Sequence, residues 1–169
     1  MGGSMDSSTT MSAMIHPVHV DRVDGFVQRA REAGDTIVRG GKKHREDGLW
    51  YEPTLIIPKS NQSEVVQSEI FGPVLTLQTF VTEQEGVALA NSTLYGLSGI
   101  VYTGSAERAE RVGRAVRAGT VWVNTFLVRD LTAPFGGIGH SGLGREGGHY
   151  ALEFHSDLKT LQILEGSCD

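Results

Sequence analysis

The chain has 169 residues, with 15 Lys plus Arg against 20 Asp plus Glu, so it carries a net charge of −5 with its 6 histidines neutral. No apolar run approaches the roughly 18 residues that cross a bilayer, and no Lys/Arg block is present, which excludes a membrane-spanning helix and argues against a nucleic-acid surface, where positive charge must release counterions. Cys168 is the only cysteine, which rules out an intrachain disulfide and a multi-cysteine metal site and points to a reducing cytoplasm.

Met1-Gly2-Gly3-Ser4 ahead of Met5 has the look of a cloning remnant and is set aside from fold reasoning. Residues 5–13 are Ser/Thr-rich and lack an apolar period, so they are expected to stay mobile unless they pack elsewhere. No basic and apolar leader precedes a cleavage site, and a cytoplasmic protein is therefore expected rather than a secreted one.

Val23, Phe26, Val27 and Ala30 follow the i, i+3, i+4, i+7 rule, with Pro17 suited to a first turn and Gly34 to an end, which predicts a surface helix over 17–33. The β-branched stretch 36–38 before Gly40-Gly41 predicts a strand and a turn, 53–57 a second strand closed by Pro58, and 74–80 a third. Thr82-Glu83-Gln84-Glu85 has a capping-box pattern and starts a helix to Asn91. Residues 97–102 are strand-like. Ser105 then caps a helix whose Ala109, Val112, Gly113 and Val116 share a face, whose Glu107/Arg111 and Glu110/Arg114 pairs are solvated, and which Gly119 ends. Thr120-Val121-Trp122-Val123 reads as a strand covered on both faces, followed by a short helix over 148–154 and a last strand over 158–164. This alternation predicts an α/β fold with an open, largely parallel sheet flanked by helices. The expected segments are a lead over 1–13, a body over 14–157 and a terminal strand and tail over 158–169.

Gly137-Ile138-Gly139-His140-Ser141-Gly142 fits G-x-G-x-x-G, and 142–147 fits it again. A dinucleotide fingerprint, however, turns directly from a strand into a long helix. Here the preceding strand stops near Asn124, so a tight structural loop is expected. No histidines pair at i, i+3 or i, i+4 on a clear helix, and His149 and His155 lie six apart on different faces, so no metal site is expected. Cys168 lies one residue from the terminus, with nothing to hold it against a base, which makes it a poor nucleophile. Glu69-Ile70-Phe71-Gly72-Pro73-Val74 is a sharper signal. Side chains two apart on an extended segment face the same way, so a carboxylate can accept from sugar hydroxyls while a ring packs on a flat heterocycle. A core phenylalanine beside a surface glutamate satisfies the same spacing.

Several linked motifs carry a resemblance. They are residues 69–74, Asn91-Ser92-Thr93 with Gly96-Leu97, Gly119-Thr120-Val121-Trp122-Val123-Asn124, and Pro134-Phe135-Gly136-Gly137 followed by Ser141-Gly142 and Gly144-Arg145-Glu146. In this order and spacing, from about Asp6 to Leu164, the chain resembles the last third of the NAD(P)-dependent aldehyde dehydrogenase superfamily. The resemblance implies that Glu69 binds the nicotinamide-side ribose and Phe71 backs the nicotinamide. It implies that Phe135 lines the aldehyde tunnel, that the loop over 124–132, with Phe126, shapes substrate choice, and that 158–164 docks on a neighbouring subunit. An apolar edge strand without a partner would be a liability, which independently favours an oligomer or a partner subunit.

Residues 124–131 and Gly144-Arg145-Glu146-Gly147-Gly148 look most like the hydroxymuconic and carboxymethyl-hydroxymuconic semialdehyde dehydrogenases, whose substrates also bear carboxylates. Arg129 is the candidate to grip such a carboxylate through its planar fork, and a salt bridge with Asp130 or another acid is its alternative role.

In that family a thiolate, an acid/base glutamate, an oxyanion amide and most of the nucleotide domain lie upstream of the matched span. The resemblance therefore implies a truncated member that binds NAD(P) weakly at most and is not a dehydrogenase alone. Two further readings remain open: a repurposed non-redox enzyme using Arg129, His140, His155 or Glu69 for acid/base carbonyl chemistry such as imine formation or cyclisation, and a non-catalytic assembly subunit.

Overall fold

Pro17 opens the longest helix, α1 (Pro17–Ala33), in a computed structural model that describes residues 1–44 and 48–166. The His16 imidazole caps it by accepting from the Val18 amide at 3.2 Å, and Gly34 closes it in the left-handed conformation, its N–H returning to the last turn. The predicted stripe, Val23, Phe26, Val27 and Ala30, is buried, and with Val20, which the spacing did not pick out, it packs with Tyr51, Ile56, Val65 and Ile70 into the core. Tyr51 is fully buried, and its hydroxyl donates to Asp24 Oδ1 at 3.0 Å. Burial first, and then the Asp24 contact, push the phenol well above its ordinary pKa and keep it neutral.

The chain divides into two units, Met1–Thr93 and Leu94–Asp169. In the first, β1 (Thr36–Arg39) pairs antiparallel with β2 (Thr54–Ile57), which pairs parallel with β3 (Val74–Thr76). A short helix, α2 (Glu64–Gln67), precedes β3, and α3 (Glu83–Ala90) follows it. Thr82 Oγ1 accepts from the Glu85 amide as the capping box requires, and the Glu85 carboxylate reaches one residue further back, to the Val81 amide at 2.8 Å. The strand expected to run to Phe80 stops at Thr76. Its partner β2 ends before Pro58, which has no N–H to offer, so after Leu77 donates to Ile56 the ladder has nothing to pair with. The lead over 5–13, expected to be mobile, is part of this unit: Asp6 accepts from the Ser8 hydroxyl and amide, which hold its carboxyl below the usual range, and the Gly2 amide donates to Met11.

In the second unit β4 (Ser98–Val101) and β5 (Thr120–Val123) run parallel, with α4 (Ala106–Ala115) against both. Ser105 caps α4, and both Glu/Arg pairs form, at 3.2 and 3.0 Å. The helix ends at Ala115 and not at Gly119, because Val116 turns into the extended region and sets its side chain over Gly99 of β4. Gly119 serves a different purpose: a Cβ there would lie 1.7 Å from the Gly136 carbonyl oxygen, so only glycine lets these two backbones meet. The short helix α5 (Tyr150–His155) starts later than expected because Gly147 and Gly148 are both left-handed.

The α/β class expected from the sequence is the one found. Among the described residues two of the three ladders are parallel, but they belong to a three-stranded and a two-stranded sheet rather than to one. The strand expected over 158–164 makes no ladder among the described residues, and Leu158, Leu161, Ile163 and Leu164 are exposed. A strand exists through a neighbour's hydrogen bonds, and none is available to it there. No helix among the described residues is long and apolar enough to cross a membrane.

Candidate functional site

In the first unit Glu69, Ile70 and Phe71 link α2 to β3. Ile70 is buried in the core and anchors the segment. The Arg22 guanidinium donates to the Ile70 carbonyl from Nη1 and to the Glu69 carbonyl from Nη2, both at 3.0 Å, and His19 Nε2 meets the Phe71 carbonyl oxygen. Arg22 is itself laid on the Phe26 ring, 5.1 Å from its centroid. The backbone is not extended here, since Phe71 has φ of 55°. The alternation expected to orient Glu69 and Phe71 therefore does not apply, and what turns both outward is the inward Ile70 between them. The Glu69 carboxylate is exposed and has no hydrogen-bond partner among the described residues, and the Phe71 ring is 69% exposed. A shallow groove of about 490 Å³ begins beside them, at Gly72, Pro73, Val74 and Leu75.

In the second unit the loop over 124–132 leaves β5 in a fixed conformation. Asn124 is left-handed, and its side-chain amide pairs with both the N–H and the C=O of Thr103, each at 2.8 Å. Trp122 Nε1 donates to the Val128 carbonyl at 2.8 Å, and Phe126 stands edge-on to the Trp122 ring at 6.0 Å while remaining over half exposed. Asp130 accepts from the Thr132 hydroxyl at 2.7 Å and its amide at 2.8 Å, which hold the carboxyl below its usual range and commit it to its own turn.

Arg129 consequently pairs elsewhere. Its Nη2 donates to Glu146 Oε1 at 2.5 Å, and its guanidinium carbon lies 4.6 Å from the centre of the half-buried Phe135 ring. Phe135 and Glu146 face each other across a one-pair antiparallel bridge, exchanging N–H···O bonds of 2.7 and 2.8 Å. Of the two roles the sequence left open, the ion pair with an acid is formed, and the acid is Glu146 rather than Asp130. Nε and Nη1 of Arg129 have no protein partner among the described residues.

The Gly-rich stretch is the tight loop expected. It contains a 3₁₀ turn, Gly139–Ser141, and no long helix starts there. The Ile138 and His140 amides donate to the Gly96 and Leu94 carbonyls, so they are not presented to a phosphate. Arg145 stays inside the loop, donating to the Gly137 and Gly144 carbonyls. His140 stands edge-on to Tyr95, and His155 packs on Phe154; both are exposed, and neither is joined to Arg129 by a hydrogen bond or ion pair. Among the described residues no group of three or more His, Cys, Asp or Glu could hold a metal ion. Cys168 lies outside the described residues.

The sequence profile of the aldehyde dehydrogenase family matches residues 1–161. The chain belongs to the aldehyde dehydrogenase family. It is 42% identical over 163 residues to the 2-aminomuconic 6-semialdehyde dehydrogenase of a Pseudomonas species, covering 94% of this chain and 33% of that enzyme. It is 38% identical over 168 residues to the 2-hydroxymuconic semialdehyde dehydrogenase of Pseudomonas putida, covering 96% and 35%. An aldehyde dehydrogenase from Bacillus cereus solved as an NAD+ complex superposes with a TM-score of 0.87 at 33% identity, covering 92% of this chain and 32% of that one. The chain thus spans about a third of the length of the aldehyde dehydrogenases it matches.

Three contributors to this part of an aldehyde dehydrogenase escaped the sequence reading. Arg22 and His19 look like the polar flank of an amphipathic helix, and nothing in their spacing says that they reach residues 69–71. Glu146 has no role that its motif alone gives it; its one signal is the nearby glycines, Gly144 and Gly147, which mark a constrained backbone.

Proposed function

We propose that these residues form the nicotinamide-facing and aldehyde-facing part of an aldehyde dehydrogenase whose substrate also carries a carboxylate, and that alone they bind such an aldehyde without oxidising it. The observation that carries the substrate class is the Arg129 guanidinium, laid on Phe135 and held by a single bond from Nη2 to Glu146, with Nε and Nη1 unpaired among the described residues. A planar fork held against a ring accepts a carboxylate through two parallel charge-assisted bonds, and the ring beneath it offers an apolar wall to a carbon chain. Two of the relatives are named for muconic semialdehydes, aldehydes that keep one carboxyl group.

The first-unit residues fit the nicotinamide half of NAD+, which, when bound, supplies the hydride acceptor. Glu69 offers ribose hydroxyls a carboxylate that has no partner among the described residues, Phe71 offers an exposed ring face, and Arg22 and His19 hold the main chain that carries both. Cys168 is the only cysteine, so no other residue of this sequence offers a thiolate to the carbonyl carbon. The apolar segment 158–164 is suited to pair with a strand of a second subunit, which would cover Leu158, Leu161, Ile163 and Leu164.

The test is a titration of the chain with succinate semialdehyde, and with butanal as the uncharged control, read by NMR at the Arg129 Nε–H group. Succinate semialdehyde is expected to bind and butanal to leave the signal unmoved, and Arg129→Gln is expected to weaken succinate semialdehyde about tenfold or more. Equal binding of the two aldehydes, or an Arg129→Gln chain that binds like the parent, removes the reading.

A further inference from the structure

Arg129 has an internal competitor. Glu146 Oε1 occupies one end of the guanidinium at 2.5 Å, and among the described residues only one of its two oxygens is engaged, so the contact is the single-bond version of what an incoming carboxylate would make with two. The position of Glu146 is built into the loop. Its backbone exchanges both hydrogen bonds with Phe135, the residue on which Arg129 lies, so Glu146, Phe135 and Arg129 are held together as one set. On the C-terminal side Gly147 is left-handed, and a Cβ there would stand 2.5 Å from the Ala133 carbonyl oxygen, so the backbone beside Glu146 cannot move to another register without breaking that packing. Asp130, the nearer acid in sequence, is taken up by Thr132 and leaves the pairing to Glu146. Both side chains of the pair are about half exposed, which puts the contact among ion pairs weak enough for a ligand to displace.

We infer that Glu146 is a specificity-determining residue of the aldehyde site: its carboxylate holds the Arg129 fork in the absence of an anionic ligand, and an aldehyde binds through Arg129 by displacing it. The inference rests on the reading of Arg129 as the carboxylate-binding group. Glu146 sets the threshold that a substrate carboxylate must exceed. A ligand making two bonds to the fork displaces the single bond of Glu146, whereas a lone carbonyl or hydroxyl does not. Glu146 thereby biases the site toward fully ionised, geometrically matched carboxylates and against neutral aldehydes that could otherwise settle on the Phe135 ring beside a half-satisfied arginine.

The experiment repeats the succinate semialdehyde titration on the parent chain, on Glu146→Gln, and on Arg129→Gln. Glu146→Gln keeps the shape and a hydrogen-bonding oxygen but removes the competing charge, and it is expected to bind succinate semialdehyde about fivefold more tightly than the parent. In the parent chain, the side-chain carboxyl carbon of Glu146 is expected to shift with the same saturation curve as Arg129 Nε, reporting release. That measurement needs no substitution and decides the matter if Glu146→Gln fails to fold. Unchanged or weaker binding by folded Glu146→Gln, or a Glu146 signal that stays fixed while Arg129 saturates, overturns the role of Glu146 and leaves Arg129 as the carboxylate group. Arg129→Gln binding like the parent overturns the underlying reading, and this inference with it.

Discussion

Given NAD+ and succinate semialdehyde, the 169 residues are expected to form no NADH above the uncatalysed background, at least about a million-fold below a full-length relative. A hydride leaves an aldehyde carbon readily only once a nucleophile has added and placed negative charge on the oxygen. In a thiol-dependent enzyme that nucleophile is a thiolate fixed beside the bound carbonyl. Holding a reactant in place raises its effective concentration without supplying the missing bond. Neither His140 nor His155 replaces it, since each is exposed, packed on an aromatic neighbour, and unlinked to the Arg129 cluster by any hydrogen bond. Absorbance of the reduced coenzyme, with mass analysis of the organic product, checks this. An acid formed only when NAD+ is present contradicts it, and a condensed product formed without NAD+ points to acid/base carbonyl chemistry instead.

Gly119→Ala is expected to cost about 3 kcal/mol or more of the second unit's stability. A methyl group at this position would stand 1.7 Å from the Gly136 carbonyl oxygen and 2.8 Å from its carbon, and the neighbour is backbone that cannot swing aside. Separating the two strands of chain would also stretch the 3.0 Å bond from the Gly119 amide to the Gly96 carbonyl, which accepts from Ile138 as well. Because Gly136 follows Phe135, the displacement is transmitted directly to the residue beneath Arg129. Urea unfolding followed by Trp122 fluorescence in a Trp50→Phe background isolates the effect, these being the 2 tryptophans of the chain. Gly104→Ala is the control: nothing lies within 4 Å of a Cβ there, and it is expected to cost less than about 0.5 kcal/mol. Equal stabilities of the two variants would contradict the close approach of residues 119 and 136.

What was legible in the sequence was what is decided locally. Helix α1 begins and ends where its proline and glycine place it, and four of its five buried residues are those the apolar spacing picked out. The caps at Thr82 and Ser105 are likewise local pairings three residues apart. Ends set from a distance were misjudged. Strand β3 stops because a proline follows its partner strand, and α4 stops where Val116 finds Gly99. Gly119 read as a helix terminator because a glycine after a helix usually is one, while the carbonyl that forbids a side chain there is 17 residues on.

The candidate site divides in the same way. Motif order singled out Glu69, Phe71, Phe126, Arg129 and Phe135 as candidates, and the family it pointed to is the one the chain belongs to. The contacts that support them join residues 47 to 52 apart for Arg22 and His19, and 17 apart for Arg129 and Glu146, where no periodicity connects the partners. The turn at Phe71 is a further case, since extended alternation is the natural assumption for a short apolar link and only the backbone angle corrects it.

Whether a sulfur nucleophile acts at the aldehyde site is measured most directly by labelling Cys168, the only cysteine, with an electrophilic aldehyde analogue. The predicted result is slow labelling at the rate of an ordinary cysteine thiol, unaffected by succinate semialdehyde and without effect on its binding. Rapid, stoichiometric labelling of Cys168 that succinate semialdehyde suppresses, accompanied by loss of a measurable turnover, would contradict it.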